Sequence, residues 1–451
     1  MPPDSNGDRL PRRIGLWTAV AIVVGSTIGS GIFRSPAAIA ESVPGPMPML
    51  GVWIAGGLLV LCGALTLAEV GSALPKTGGI YVFVREGWGK LPAFLFGWAQ
   101  LSLLRAAALG AVATTFAEYA LGAFRDDPPR LAVSLLAATG IAIVAAANYL
   151  GVRWGSLVQN ITTVAKVTGL LLIVTLAFAL GLPETGGHYT PAIPPGSLSV
   201  TAFAAALVSV LWAFDGWSDA SYVAGEIIEP KKNVPRAIIF GTLIIIVVYI
   251  LVNLAYLAVL PVEQIAGSKL VAADVAELLI GGPGVALVAI TVMISTFGTL
   301  NGTMLTSPRV FFAMADEGML FPWIASVNPR FKTPSVAIGL TAVVSIAMVM
   351  IGTFEQLADA FVTGVTPFYV LAVAAIFVLR RRPDYHPSYR VPLYPVIPTI
   401  FILGSIFFLG NAVLDPASRW PTLSVFGLIL LGIPVYYATV GRKKRSPRAD
   451  S

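Results

Sequence analysis

Gly25-Ser26-Thr27-Ile28-Gly29-Ser30-Gly31 interrupts an apolar run near the N-terminus, and Ala213-Phe214-Asp215-Gly216 interrupts another near the middle. Glycine costs about 1 kcal/mol in a helix interior. Three glycines within seven residues, with hydroxyls between them, make a poor continuous helix. Unwound backbone at membrane depth survives only where it lines a cavity or is buried in protein. The amides of Gly29, Ser30 and Gly31, opening a second half-helix, would offer N–H donors and partial positive charge, which suit a carboxylate. The carbonyls ending the first half-helices, at Thr27 and at Trp212, Ala213 and Asp215, suit an ammonium group. An α-amino acid zwitterion meets both demands. Close helix packing also uses Gly and Ser, but two clusters in corresponding places, one beside an acid, favour a substrate site.

Three charges inside apolar runs extend this chemistry. Lys166 lies about twelve residues into its run, and an intramembrane lysine is expensive and functional by default. It is too far from either end to snorkel easily. Asp215 could bind a cation on a substrate side chain, and Arg105 a carboxylate. Buried charges need partners, so the two could instead neutralise each other or pair locally. With offsetting signs, a neutral side chain is the expectation.

The elements that must position these groups are membrane helices. Of the 451 residues, 56% are hydrophobic and only 12% charged, where soluble domains carry about a quarter. That composition excludes a soluble enzyme, a disordered tail protein and a coiled coil. The net charge of +6 is not gathered in one stripe, so no nucleic-acid partner is expected. The single cysteine, Cys62, permits no internal disulfide and no cysteine zinc site. No metal site and no cofactor are expected.

Crossing a bilayer takes about 20 apolar residues. Twelve such runs are expected, at 17–40, 47–74, 92–120, 131–149, 156–181, 199–226, 236–260, 283–308, 335–351, 356–379, 394–413 and 421–440. Basic residues set the orientation. With the N-terminus cytoplasmic, 22 of the 29 Lys and Arg fall on that side, and only Arg125, Arg130, Lys269 and Arg419 on the other. Both termini are therefore expected in the cytoplasm. Residues 1–16 lack the cleavage site of a signal peptide. The tail 441–451, with Arg442, Lys443, Lys444 and Arg445, reads as a topology anchor on anionic lipid. The breaks open two five-span blocks, 17–181 and 199–379, which suggests an inverted repeat with a midplane site. Spans 11 and 12, residues 394–440, lie outside it. The fold class is thus an all-α membrane protein of twelve helices, with helices 1 and 6 broken.

The sequence resembles the amino acid–polyamine–organocation superfamily and, within it, the L-type amino acid transporter branch, over nearly its whole length. The motifs are Gly25-Ser-Thr-Ile-Gly-Ser-Gly-Ile-Phe33, Pro75-Lys-Thr-Gly-Gly-Ile-Tyr81, Trp212-Ala-Phe-Asp-Gly-Trp217 with Glu226, Pro230-Lys-Lys-Asn-Val-Pro235, Asn301-Gly-Thr303 and Ser307-Pro-Arg309. The resemblance implies alternating access on a five-plus-five inverted repeat, with Trp212 as the aromatic gate. It places Lys166 between spans 1 and 8, where related symporters bind sodium, held by unwound span-1 carbonyls and by Ser295, Thr296 and Thr299. Sodium-independent transport follows, although a desolvated lysine that gives up its proton could couple transport to protons. Branch members with aspartate in the span-6 break include carriers of cationic substrates, and members with arginine near Arg105 include carriers of anionic ones. Some members bond to a glycoprotein through a cysteine after span 3. The loop 121–130 has none, so no disulfide-linked heavy chain is expected, as suits a prokaryotic inner-membrane protein.

Further expectations are narrower. Glu69 and Glu118, near span ends, should meet basic loops. Tyr81–Trp88 reads as an interfacial helix. The loop 262–280, with Asp274 and Glu277, would be an outer lid in the resembled family. Thr363, Thr366 and Phe368 could line the pathway. His188 and His386 fall in loops and suggest no catalysis. The reading is a sodium-independent exchanger of neutral amino acids. A proton-coupled symporter, or a cationic amino acid or polyamine exchanger, is the alternative. A channel or substrate sensor would need a flux assay to exclude. An intramembrane enzyme fails for want of a paired-histidine zinc motif or a Gly-x-Ser-x-Gly elbow.

Overall fold

The computed structural model describes residues 10–122, 128–197, 199–268, 270–416 and 418–440. The tail 441–451, and Arg9, Arg125 and Lys269 of the charge count, lie outside them. The described residues form helices joined by short connections, with one isolated bridge between Ile14 and Ile227.

The first run is two helices, α1 (Leu16–Thr27) and α2 (Gly31–Ser42), bent by 42° at the intervening residues. Then come α3 (Pro46–Ala73), the short α4 (Ile80–Trp88), α5 (Lys90–Gly122), α6 (Arg130–Tyr149) and α7 (Val152–Thr185). A π-helical turn at Gln100–Leu104 inside α5 stands directly before Arg105. Helix α8 (Val200–Phe214) stops at Asp215, and two 3₁₀ turns, Asp219–Ser221 and Ala224–Glu226, replace a second helical half. The chain continues as α9 (Pro230–Val259), α10 (Val262–Gly267), α11 (Val271–Ile280), α12 (Gly282–Thr306) and α13 (Pro308–Asp316). It ends with α14 (Ser335–Ile351), α15 (Phe354–Leu379), α16 (Val396–Leu414) and α17 (Arg419–Thr439).

Among the described residues, nine helices are long and apolar enough to cross a membrane, and the bent pair α1–α2 makes a tenth. The other two expected spans are α8 and α14, apolar helices of 15 and 17 residues. Helix α8 falls short of about 20 residues because it breaks at Asp215. Large apolar side chains such as Leu58, Ile161, Val164, Val343 and Leu403 remain outward-facing, a surface suited to lipid rather than water.

Inside, several polar groups pair across helices. Asn148 donates to Asn301 Oδ1 at 3.0 Å, and Asn301 donates to Gln159 Oε1 at 3.1 Å. Gln159 in turn donates to the Ala21 carbonyl at 3.2 Å. This chain of amides ties α6, α12, α7 and α1 together.

The end of the bundle carrying residue 10 is locked by ion pairs. Arg309 clasps Glu226 through two hydrogen bonds of 2.8 and 3.2 Å, both side chains fully buried. The Glu226 carbonyl accepts from the amides of Arg13 and Ile14, which staples the N-terminal segment beneath the broken helix. Breaking a buried pair strands a charge and costs about 3–5 kcal/mol, whereas replacing both partners by apolar groups is far milder. Glu226→Ala is therefore expected to lower the melting temperature in detergent markedly. Glu226→Leu/Arg309→Met should recover most of the loss, and equal melting of the single and double variants would contradict the pairing.

One expectation changes here. Helix α4 turns its apolar face to protein rather than lipid: Ile80 to Val84 are buried, Tyr81 donates to Glu317 at 2.6 Å, and Trp88 donates to the Leu371 carbonyl at 2.8 Å. Its apolar face is covered by protein because it packs against α15. Glu69 does meet the basic segment after α15: it accepts two hydrogen bonds from Arg380, at 2.8 and 2.6 Å, together with the Val391 amide at 2.6 Å. Glu118 pairs with Arg34 of α2, within the bundle.

Candidate functional site

The two interrupted helices meet. A methyl group built on Gly31 would stand 2.4 Å from Ala213 Cα, so only glycine lets α2 begin against the end of α8. Gly216, at φ +110°, lets the chain leave α8 in a conformation that side-chain-bearing residues avoid. The amides of Gly29, Ser30 and Gly31 have no acceptor among the described residues. They face a cavity lined by Ser26, Thr27, Gly29, Ser30, Gly31, Arg105, Ala108, Val112, Trp212, Asp215, Thr299 and Thr303. The hydroxyls of Ser26 and Ser30 also lack partners among the described residues. A cavity with free amides at a helix start, backbone oxygens at two helix ends and unpaired hydroxyls can bind a small zwitterion through its two charged ends.

Lys166 is fully buried, but it does not line that cavity. Its Nζ donates to the carbonyls of Ile28, Ser295 and Gly25 at 2.5, 2.7 and 2.9 Å, and lies 3.1 Å from Thr299 Oγ1. Ser295 Oγ donates to the Ile28 carbonyl at 2.9 Å. The ammonium thus sits in a cage of neutral oxygens drawn from the break of α1 and from α12. Thr296 is outside this cage: its hydroxyl returns to the Val292 carbonyl of its own helix at 2.7 Å. Ser295 and Thr299 are four residues apart and share a helix face, while Thr296 is turned away by about 100°.

The two charges on the cavity wall do not pair with each other. Asp215 accepts from Tyr369 of α15 at 2.6 Å. Arg105 pairs with Asp219, at 3.3 Å, in the turn after the break, with both side chains buried. Asp219 was no candidate from the sequence, nor was Tyr249 of α9. The Tyr249 hydroxyl lies 2.8 Å from the Ala213 carbonyl and 3.1 Å from the Thr27 carbonyl, bridging the ends of α8 and α1. A signal existed in the spacing of Thr242, Tyr249, Asn253 and Tyr256, which puts hydrogen-bonding groups on the buried face of an apolar helix.

Trp212 closes one side of the cavity. Its ring meets Phe354 and Phe361 edge-on, at centroid distances of 5.8 and 5.9 Å. Arg34 lies 4.3 Å above the Phe354 ring and pairs with Glu118, so an aromatic layer is capped by an ion pair. Each edge-to-face pair contributes about 0.5–1.5 kcal/mol beyond burial. Trp212→Ala is therefore expected to raise the half-saturating substrate concentration on the order of tenfold, read from uptake curves in vesicles. An unchanged value would remove Trp212 from the site.

Thr366 lines a second cavity, which shares Asp215 with the first and is walled by Trp217, Phe361 and Tyr369. Thr363 and Phe368 line neither; Phe368 packs on Phe96 at 5.3 Å. Helices α10 and α11, in the segment expected as a lid, pack against α2. No cluster of His, Cys, Asp or Glu able to hold a metal occurs among the described residues.

A family model described as amino acid permease matches residues 14–433. The chain is 34% identical to the serine/threonine exchanger SteT of Bacillus subtilis, with 99% of each chain aligned. It is 31% identical to the b(0,+)-type amino acid transporter 1 of Homo sapiens, over 96% of this chain and 89% of that protein. It is also 31% identical to the human cystine/glutamate transporter, over 97% of this chain and 87% of that one. These relatives are transporters, not enzymes.

Proposed function

The chain belongs to the amino acid permease family, and from that premise we propose that it exchanges small neutral L-amino acids across the cell membrane, independently of sodium, by alternating access. The observation that carries the proposal is the meeting of two helix breaks at one cavity, with free amides on one side and helix-ending carbonyls on the other. The substrate carboxylate would take the amides of Gly29, Ser30 and Gly31, and its ammonium the oxygens near Thr27 and Trp212. Ala108, Val112, Thr303 and the free hydroxyls of Ser26 and Ser30 favour a small side chain, with or without a hydroxyl. The serine/threonine exchanger among the relatives agrees with that size.

Sodium independence is supported by the cage of Lys166. Its ammonium already occupies the oxygens that a monovalent cation would need. We read Trp212 as the gate, spans 1–5 and 6–10 as an inverted repeat, and both termini as cytoplasmic. The chain is taken to work without a disulfide-linked partner. The test offers labelled serine, leucine, arginine and glutamate to vesicles preloaded with the same amino acids. Serine uptake well above the others, unchanged when choline replaces sodium, supports the proposal. Strong preference for arginine or glutamate, or loss of uptake without sodium, overturns it.

A further inference from the structure

We propose that Asp219 is a specificity-determining residue that acts as a built-in counter-ion for Arg105, so that the substrate site displays a guanidinium without offering its charge to an acidic side chain. The inference rests on the exchange reading above and deepens it.

Arg105 is on the cavity wall, whereas Asp219 is not. Asp219 stands behind the arginine, in the turn that follows the broken helix. It accepts from Arg105 Nη2 at 3.3 Å through one oxygen and from the Thr306 hydroxyl of α12 at 2.9 Å through the other. Both side chains of the pair are removed from solvent. Tyr222 and Phe361 flank the guanidinium carbon at 5.0 and 6.0 Å, which keeps the pair in apolar surroundings. In such a place an acid and a base act mainly on each other.

The guanidinium is nonetheless not used up as a donor. Its Nε has no partner among the described residues. A neutralised arginine with an N–H to spare can donate to a hydroxyl or carbonyl on a substrate side chain. It has little net attraction for a carboxylate, and Asp215 on the same wall adds a second acidic group. An arginine in a transport cavity would by itself suggest acidic substrates; the ion pair behind it reverses that expectation.

The sign of the change separates this role from a structural one. Asp219→Asn should free the guanidinium and raise the ratio of glutamate to serine uptake at least tenfold. Arg105→Gln should leave two acids and shift the ratio of arginine to serine upward instead. Arg105→Gln/Asp219→Asn removes both charges together and should return both ratios to near the wild-type values. A structural pair would depress every substrate alike, leaving the ratios unmoved, and that result overturns the proposal. Should the single variants not reach the membrane, the double variant and the wild type decide: glutamine should compete with labelled serine at least tenfold better than glutamate in both. Equal competition by the two in the wild type would sink the idea. Absence of serine exchange in the wild type would instead refute the exchange reading on which it stands.

Discussion

Vesicles carrying Lys166→Ala are expected to exchange amino acids at less than about one-hundredth of the wild-type rate, with the protein still present in the membrane. The lysine donates to the carbonyls of Gly25, Ile28 and Ser295 at once. The substitution removes three hydrogen bonds from a charged donor, each contributing about 1.5–3 kcal/mol, and about 2.7 kcal/mol is already a hundredfold in rate. Ser295 Oγ and Thr299 Oγ1 also reach the Ile28 carbonyl, and Thr299 Oγ1 the Gly25 carbonyl, so the helix break should keep part of its form while losing its brace to α7. The loss should therefore fall on flux more than on the amount of folded protein. Rates normalised to the quantity of transporter in the vesicles measure it. Near-normal exchange would mean that the break of α1 is held by something other than this ammonium.

The second large effect is expected at the other break. Gly216→Ala should abolish exchange and lower thermal stability together. A Cβ at that position would lie 2.7 Å from Thr27 Oγ1 and 2.9 Å from the backbone of Ser26 and Thr27. Two of those neighbours are main-chain atoms that cannot turn aside. The positive φ adds about 1–3 kcal/mol of strain for any other residue. The clash falls between the two interrupted helices, so it should force apart the groups that line the cavity. Gly339→Ala, in the interior of α14 with open space around its Cβ, is the control. It should retain exchange and melt no lower than the wild type. Retained exchange in Gly216→Ala would contradict the close approach of the two breaks.

Much of this arrangement was legible in the chain itself because its signals are local. Glycines and hydroxyls inside apolar runs mark where a helix must stop, and both breaks fall where that composition puts them. A lysine far from either end of its run must find buried oxygens. What was not legible depends on rotation and depth. Ser295, Thr296 and Thr299 are alike as residue types, but only two of them share the face turned toward α1. Arg105 had an acid to meet, yet whether that acid was Asp215 or Asp219 turned on where the chain went after Gly216. Tyr249 lies in an apolar stretch whose hydropathy says nothing about the carbonyls across from it. The short helix α4 reads as amphipathic, as interfacial helices do, but its apolar side faces α15.

The measurement that bears most directly on the central claim is uptake of labelled serine into sodium-free vesicles, with and without unlabelled serine inside, at equal pH on both sides and then across an imposed pH gradient. Exchange at the site between the broken helices predicts uptake only into preloaded vesicles, with no response to the gradient. Uptake into empty vesicles that follows the pH gradient would contradict exchange and make the protein a proton-coupled symporter.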